Sequence, residues 1–437
     1  MSAKAQRVGV ALSGGGYRAA AFHLGTLHKL QQLGVLEKVD VLSTISGGSI
    51  TGAAWCLYKG EYEGFHEEMK VKLETKGVIR KVLLSWECIR TVLLLLLFVV
   101  GSIFLSFTSY APFSLVALVL FIVILYLFQF RIFPVSQVIE RVYDEYFFNK
   151  KTLKDLKPKP VIAIGSSNLH TGRPFTFSQN KMSDSSYVFR EEFDPPIHFK
   201  HEDFPVARAV MASSSVPFAF TPIAIDKKFY QHADDYDRIR PVLVDGGVYD
   251  NQGIQKITQQ NSTYECDVVI VSDAGGNFIA DKKYPNAVVL LLRTVNLFMY
   301  RIKTTQMIHH VYRNTQLEKR AIAYFSLGWE IERCIPGFVN NMIAGTVPEE
   351  VTASHEFAKD WIANPTMFRK EISDHLANRV DYKTIKERGL TKDEWDYARS
   401  TGTNLTKFNP KRIDCLIRHA ENLTELQVKL YCPTLIN

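Results

Sequence analysis

Short apolar runs and glycine clusters alternate over the first sixty positions and separate strand from helix. Val8-Gly9-Val10-Ala11-Leu12 reads as a buried strand, and Ser13-Gly14-Gly15-Gly16-Tyr17-Arg18 as a tight glycine turn. The next stretch carries Ala20, Leu24, Leu27 and Leu30 along one side, the spacing of an amphipathic helix, and Gly34 ends it. Val39 to Ile45 is a second apolar run. After Ser46, the small residues Gly47, Gly48, Gly52, Ala53 and Ala54 predict a helix packed close to a sheet. This β-turn-α-β-turn-α order predicts a parallel sheet covered by helices.

The pattern changes abruptly after residue 90. Thr91 to Ser109 and Phe113 to Phe130 carry no charge and are dominated by Leu, Val, Ile and Phe, with Tyr110-Ala111-Pro112 between them. Each run, as helix, is roughly 28 Å long, close to the thickness of a bilayer core. Arg80, Lys81 and Arg90 flank one end and Arg131 and Arg141 the other, while the intervening turn has no Lys or Arg. The positive-inside rule then predicts a transmembrane hairpin with both outer ends cytoplasmic. A re-entrant hairpin or a buried helical pair are the alternatives. Lys150, Lys151, Lys154, Lys157 and Lys159 follow, suited either to anionic headgroups or to a solvated linker around Pro158 and Pro160.

Strand-like runs resume at Pro160–Gly165, Phe175–Phe177, Pro241–Val244, Asp267–Ser272 and Ala287–Leu292, with Ser166–Pro174 as a loop. Val206–Ser215 reads as a helix stopped by Val216-Pro217. Asn296 to about Leu327 has a helical pattern. Thr391 and Glu394 form a capping box, and Ile413, Leu416, Ile417 and Ala420 mark an amphipathic helix in a helical C-terminal region. The expected divisions are a catalytic part at 1–79 and 142–345, a hairpin insertion at 80–141, and a helical region at 346–437.

Composition narrows the function classes. The chain has 437 residues, 46% of them hydrophobic, which is enough for a large core. A net charge of +7 suits an anionic membrane surface or a nucleic acid, and no nucleic-acid-binding motif is found, so the membrane is favoured. Six cysteines without a C-x-x-C pair point away from a zinc site or a disulfide scaffold and toward a reducing compartment. Met1 to Arg7 gives no signal peptide.

The chemistry centres on Leu42-Ser43-Thr44-Ile45-Ser46-Gly47-Gly48-Ser49. A strand, a sharp turn and a helix would project the Ser46 hydroxyl as a nucleophile, with the following amide as an oxyanion donor. The glycine turn at 14–16 reads as an anion cradle or as a purely steric turn; it lacks the G-x-x-x-x-G-K-[ST] pattern of a P-loop, and the G-x-G-x-x-G match fails because Ala19 follows Arg18. His309, His310, His355, His375 and His419 follow Ser46 in the chain, but none lies in a glycine-rich loop at a strand end. Asp245, which closes an apolar strand ahead of Gly246-Gly247, is the better partner, with Asp250 and Asp273 as secondary candidates.

Taken together, Ser13–Arg18, Ser46–Ser49 and Asp245–Gly247 resemble, in order, the blocks of the patatin-like phospholipases, which are serine lipid acyl hydrolases with a Ser-Asp dyad. Ser166–Gly172 and Ala212–Pro217 also look like segments of that family. The resemblance implies a three-layer α/β/α domain with a mostly parallel sheet, interrupted here by the hairpin and followed by a helical C-terminal region. It implies Ser46 as nucleophile, Asp245 as base, Gly14, Gly15, Gly16 and Gly47 as oxyanion donors, and Arg18 as an orienting or phosphate-contacting residue. Thr44, in place of the elbow glycine, and Ala19 depart from the pattern. The expectation is a membrane-anchored phospholipase A or lysophospholipase, needing no metal or cofactor, acting on bilayer phospholipid from the cytoplasmic side. A regulated effector switched on by a partner or nucleotide, and an acyltransferase using the same dyad, remain the alternatives.

Overall fold

The computed structural model describes residues 6–189, 195–275, 284–312 and 320–436. Its centre is a sheet whose strands are β1 (Val8–Leu12), β2 (Val39–Ile45), β3 (Val161–Asn168), β4 (Arg173–Phe177), β5 (Met182–Asp184), β6 (Ile223–Ala224), β7 (Val242–Asp245), β8 (Val268–Asp273) and β9 (Ala321–Ser326). The run β3-β2-β1-β8-β9 is parallel throughout. β4 and β5 extend it antiparallel beyond β3. Alternate residues of the parallel strands enter different cores. Val10, Leu12 and Leu42 face helices α1 (Gly16–Gln32) and α2 (Gly47–Leu57), while Ala11, Val41 and Val269 face the short helix Ile254–Thr258. Burial on both faces explains why these strands read as unbroken apolar runs.

The C-terminal amphipathic helix runs over Pro410–Tyr431, and Ile413, Leu416, Ile417 and Ala420 are all buried. It lies along α1, where the backbones meet at Gly25; a Cβ there would sit 2.3 Å from the Ile417 carbonyl oxygen. The capping box is formed as expected: the Thr391 hydroxyl accepts from the Glu394 N–H, and Glu394 accepts from the Thr391 N–H.

The two apolar runs form helices Trp86–Ser106 and Ala111–Ile132, both long and apolar enough to cross a membrane. Most of their side chains face outward, so they are not a buried core pair. Phe98 stacks on Phe121 between them, and the Arg90 guanidinium donates to the Ile132 carbonyl at their open end. Four of the five clustered lysines are engaged with the protein itself. Lys151 faces Asp155, Lys154 Asp203 and Lys159 Asp40, while Lys157 sits 3.5 Å above the Trp55 ring. The segment is packed against the domain, with Leu153 and Leu156 buried.

Three stretches differ from their expected structure. Ala287–Leu292 opens a helix, Ala287–Gln306, with no buried side chain, and is not a strand. A short apolar run does not by itself separate the two conformations, and the slot beside β8 is filled by Ala321–Ser326. Those last residues are therefore strand, although the helical pattern extended to Leu327. Ser166–Asn168 belongs to β3, where it pairs with β4 on one edge and β7 on the other. The expectations for Met1–Ala5, Gly276 and the middle of the 296–327 stretch fall outside the described residues.

Substituting Gly25 with Ala forces the Ile417 backbone away from α1. A loss of about 1–3 kcal/mol is expected from such overpacking, read as a lowered thermal unfolding midpoint.

Candidate active site

Two strand pairings bring the site together. β2 ends at Ile45, which pairs with Gly165 of β3. β7 runs the other way along the same edge and ends at Asp245, opposite Ser166. The residue after β2 and the last residue of β7 therefore meet. Ser46 holds φ +50°, a left-handed conformation uncommon for a serine, and begins α2. The Asp245 carboxylate senses the Ser46 hydroxyl, which favours its ionised form. Both residues are buried, at 7% and 5% exposure.

The elbow is tightly framed. The Ser46 N–H donates to the Ser213 hydroxyl (2.9 Å), which donates to the Gly165 carbonyl (2.6 Å). Cβ atoms at Gly47 and Gly48 would lie 2.1 and 2.4 Å from the carbonyl oxygens of Gly16 and Leu12, so only glycine fits where α2 meets the glycine loop. Thr44 is accommodated by two compensations. A Cβ on Gly52 would lie 2.6 Å from the Thr44 methyl, so that glycine supplies the room, and Ser49 donates to the Thr44 hydroxyl.

The glycine loop is held from both sides. Ser13 and Gly14 donate their N–H groups to the Ser272 and Asn251 carbonyls. The Gly14 amide is thus already bonded, which sets it apart from the expected donor group. The amides of Gly15, Gly16 and Gly47 have no partner among the described residues. Gly15 and Gly16 adopt φ +143° and +59°. From the C-terminal region, the Asn404 carbonyl accepts from the Tyr17 N–H and the Thr401 carbonyl from Arg18 Nη1, both at 2.9 Å. Arg18 is buried beneath the loop, with its guanidinium beside Gly15. That placement suits an orienting role and not a headgroup contact.

Three buried aspartates have three different environments. Burial pushes the Asp245 carboxyl up to about 6, opposed by hydrogen bonds from the Gly247 N–H and the Ser46 hydroxyl, and no cation contributes. Asp250 is likewise raised to about 6 by burial, but its oxygens accept the N–H groups of Gln252, Gly253 and Gln255 and cap that turn. Asp273 is held below its ordinary range by Lys303, with which it forms a 2.5 Å ion pair, and by the Tyr324 hydroxyl, even though burial opposes this. Asp245 alone of the three touches Ser46.

The histidines after Ser46 do not approach it. His355, His375 and His419 each bond a backbone carbonyl, and His309 and His310 meet edge to face. His23 had drawn no attention in the sequence, yet it is fully buried and supports the loop. Burial lowers its pKa to about 4, so it is neutral, with Nε2–H donating to the Ser13 carbonyl and Nδ1 accepting from Ser272. Ser213, Asn251, Thr401 and Asn404 were also missed as supports. Ser213 lies in the Ala212–Pro217 segment and Asn251 directly after Asp250, whereas Thr401 and Asn404 lie near no motif.

A family model described as patatin-like phospholipase matches residues 10–255, over half of the chain. Among curated proteins, none matches this chain in sequence. Among solved structures, it is similar to human GIVD cytosolic phospholipase A2, with 13% identity and a TM-score of 0.46 over 99% of this chain and 62% of that one. It is similar also to VipD from Legionella pneumophila, with 12% identity and a TM-score of 0.31 over 91% and 83%. The chain spans about three fifths of the human enzyme's length.

The raised Asp245 carboxyl has a stability consequence. In an unfolded chain this group ionises near pH 3.9, and in the fold near pH 6. Stability present below pH 4 is therefore lost as pH rises through 6. Asp245→Asn removes that penalty and is expected to stabilise the fold at pH 8 by on the order of 2–3 kcal/mol, with no gain at pH 4, in thermal unfolding at the two pH values.

Proposed function

This chain belongs to the patatin-like phospholipase family, and we propose that it is a membrane-anchored serine hydrolase that cleaves carboxylic esters of membrane lipids. The observation that carries the reading is the left-handed Ser46 with its hydroxyl on the buried Asp245 carboxylate. Asp245 takes the hydroxyl proton as Ser46 Oγ attacks the ester carbonyl. The amides of Gly15, Gly16 and Gly47 receive the oxyanion, helped by the positive end of α2. The leaving alcohol or lysolipid takes the proton from Asp245, and a water then attacks the acyl-enzyme while Asp245 again serves as base. A carboxylate is a weak base at its ordinary pKa, so its displacement toward 6 brings it nearer the working range.

The hairpin supports the membrane half of the proposal. By the positive-inside rule, its basic flanks favour a cytoplasmic side for both ends. Just past its second helix, Ser136 donates to the Thr221 carbonyl at 2.6 Å. Thr221 closes the loop whose Ser215 carbonyl accepts the Asp245 N–H at 2.8 Å. The loop also exposes Val216 and Phe218, the latter at 67%. The loop beside Asp245 thus links the foot of the hairpin to an apolar rim, where a bilayer would raise the effective lipid concentration.

Ser46→Ala is expected to abolish labelling by a fluorophosphonate probe, and Asp245→Asn to lower ester hydrolysis by about 10²–10⁴-fold. Retained labelling in the serine variant sinks the reading. With a soluble monomeric ester, the wild-type rate should fall as pH drops below about 6, where Asp245 takes up a proton. Phe218→Asp should slow hydrolysis of phospholipid vesicles while leaving the rate on the soluble ester within twofold.

A further inference from the structure

Ala287–Gln306 is a formed helix with no buried side chain. Its first turn is capped, the Asn286 side-chain oxygen accepting the Val289 N–H at 3.0 Å. Ala287, Val288, Val289, Leu290, Leu291 and Leu292 follow one another, and every one of them is exposed, Val288 at 66%. Such a run covers more than a full turn, so this end of the helix is apolar on every side. A helix that is apolar all round belongs in a core or in lipid. A groove on a protein partner covers one face of a helix, whereas an acyl layer surrounds it. Leu297, Phe298 and Tyr300 continue the exposed apolar surface along the helix.

Charge points to the same occupant. Residues 284–312 contain no Asp or Glu, whereas Arg293, Arg301 and Lys303 follow the apolar end. An apolar helix surface accompanied by basic side chains is the pattern of a helix held at an anionic lipid surface. A basic side chain near such a surface contributes roughly fivefold in affinity. The helix lies at the interface and does not cross, since among the described residues the two hairpin helices are the ones long and apolar enough to span.

The helix is fixed beside the crevice. Lys303 pairs with Asp273 at 2.5 Å. Asp273 closes β8, and the registers of β8 and β2 on β1 set it level with Ile45, the residue before Ser46. The helix also lies against the short helix Gly247–Asp250, which begins two residues after Asp245. The hairpin is tied to the same region, through Ser136 and the loop that holds the Asp245 N–H. Two apolar elements far apart in the chain thus attach at the end of the sheet that carries Ser46 and Asp245.

We propose that Ala287–Gln306 is a second membrane contact, distinct from the hairpin, which sinks its Val288–Leu292 end into the acyl layer of an anionic bilayer beside the crevice. Its effect on hydrolysis rests on the reading that the substrate is bilayer lipid; the contact itself does not. The test uses the full chain in phosphatidylcholine vesicles with and without phosphatidylglycerol. Cys88 is the one cysteine that is not buried, so a protein carrying Cys88→Ser and Leu291→Cys takes a bimane label on the helix alone. Lipid brominated on its acyl chains is expected to quench this label and aqueous iodide is not, with lipid quenching severalfold stronger when phosphatidylglycerol is present. Adding Leu290→Glu should weaken the lipid quenching severalfold and slow vesicle hydrolysis in step, with an unchanged thermal unfolding midpoint verifying that the variant folds. Ser46→Ala should leave the quenching as it was. Iodide quenching without lipid quenching overturns the proposal. So does a disulfide-linked dimer of the unlabelled Leu291→Cys protein, which would assign the helix to a second copy of the chain. Equal quenching with and without phosphatidylglycerol overturns the anionic requirement. Lipid quenching in a protein that hydrolyses no ester supports the contact while counting against the hydrolase reading, and hydrolysis without lipid quenching does the reverse.

Discussion

Two strands of opposite direction share one edge of β3, and the site depends on that shared edge. β2 uses the edge as far as Gly165, and β7 takes it over at Ser166. Because they run toward each other, their ends face across a single register step. A serine one residue past β2 and an aspartate closing β7 are thereby brought to the same point of the sheet. The hydroxyls of Ser166 and Ser167 bond the carbonyls of Val244 and Asp245. Register in the sheet thus becomes position in the crevice, and a one-residue slip of β7 would turn the carboxylate to the other face.

Burial then sorts the acidic groups. Asp245 has no cation beside it, so desolvation dominates and its carboxyl is raised; Asp273 is equally buried but has Lys303, and its carboxyl is lowered. Neutral His23 contributes a directed donor below the loop without adding charge. The result is a pocket whose polarity comes mostly from backbone amides and hydroxyls, arranged in place before any substrate arrives.

Much of this arrangement was legible in the sequence because it is local. The strand-glycine-helix alternation of residues 8–57, the apolar hairpin and the Asp245-Gly246-Gly247 turn each carry their signal within a few neighbours. What escaped notice depends on distant chain. Thr44 at the elbow is tolerated because Gly52 leaves space one helical turn along α2, a pairing visible only once the helix lies against the strand. Ser166–Asn168 has the composition of a loop, but is strand because β4 and β7 flank it. Ala287–Leu292 and Ala321–Ser326 exchanged conformations in the reading, because apolar runs this short take whichever form their surroundings offer. The carbonyls of Thr401 and Asn404 have no side-chain signature at all.

Those two carbonyls give the molecule a sense of time. A ribosome delivers the chain from its amino end, so the serine, the aspartate and the greasy hairpin all leave the exit tunnel before the final helix exists. Until that last tenth of the polypeptide folds back over the first helix, the loop of glycines lacks two of its anchors. The loop of glycines is thus fully anchored only once residues 401–404 have packed against it.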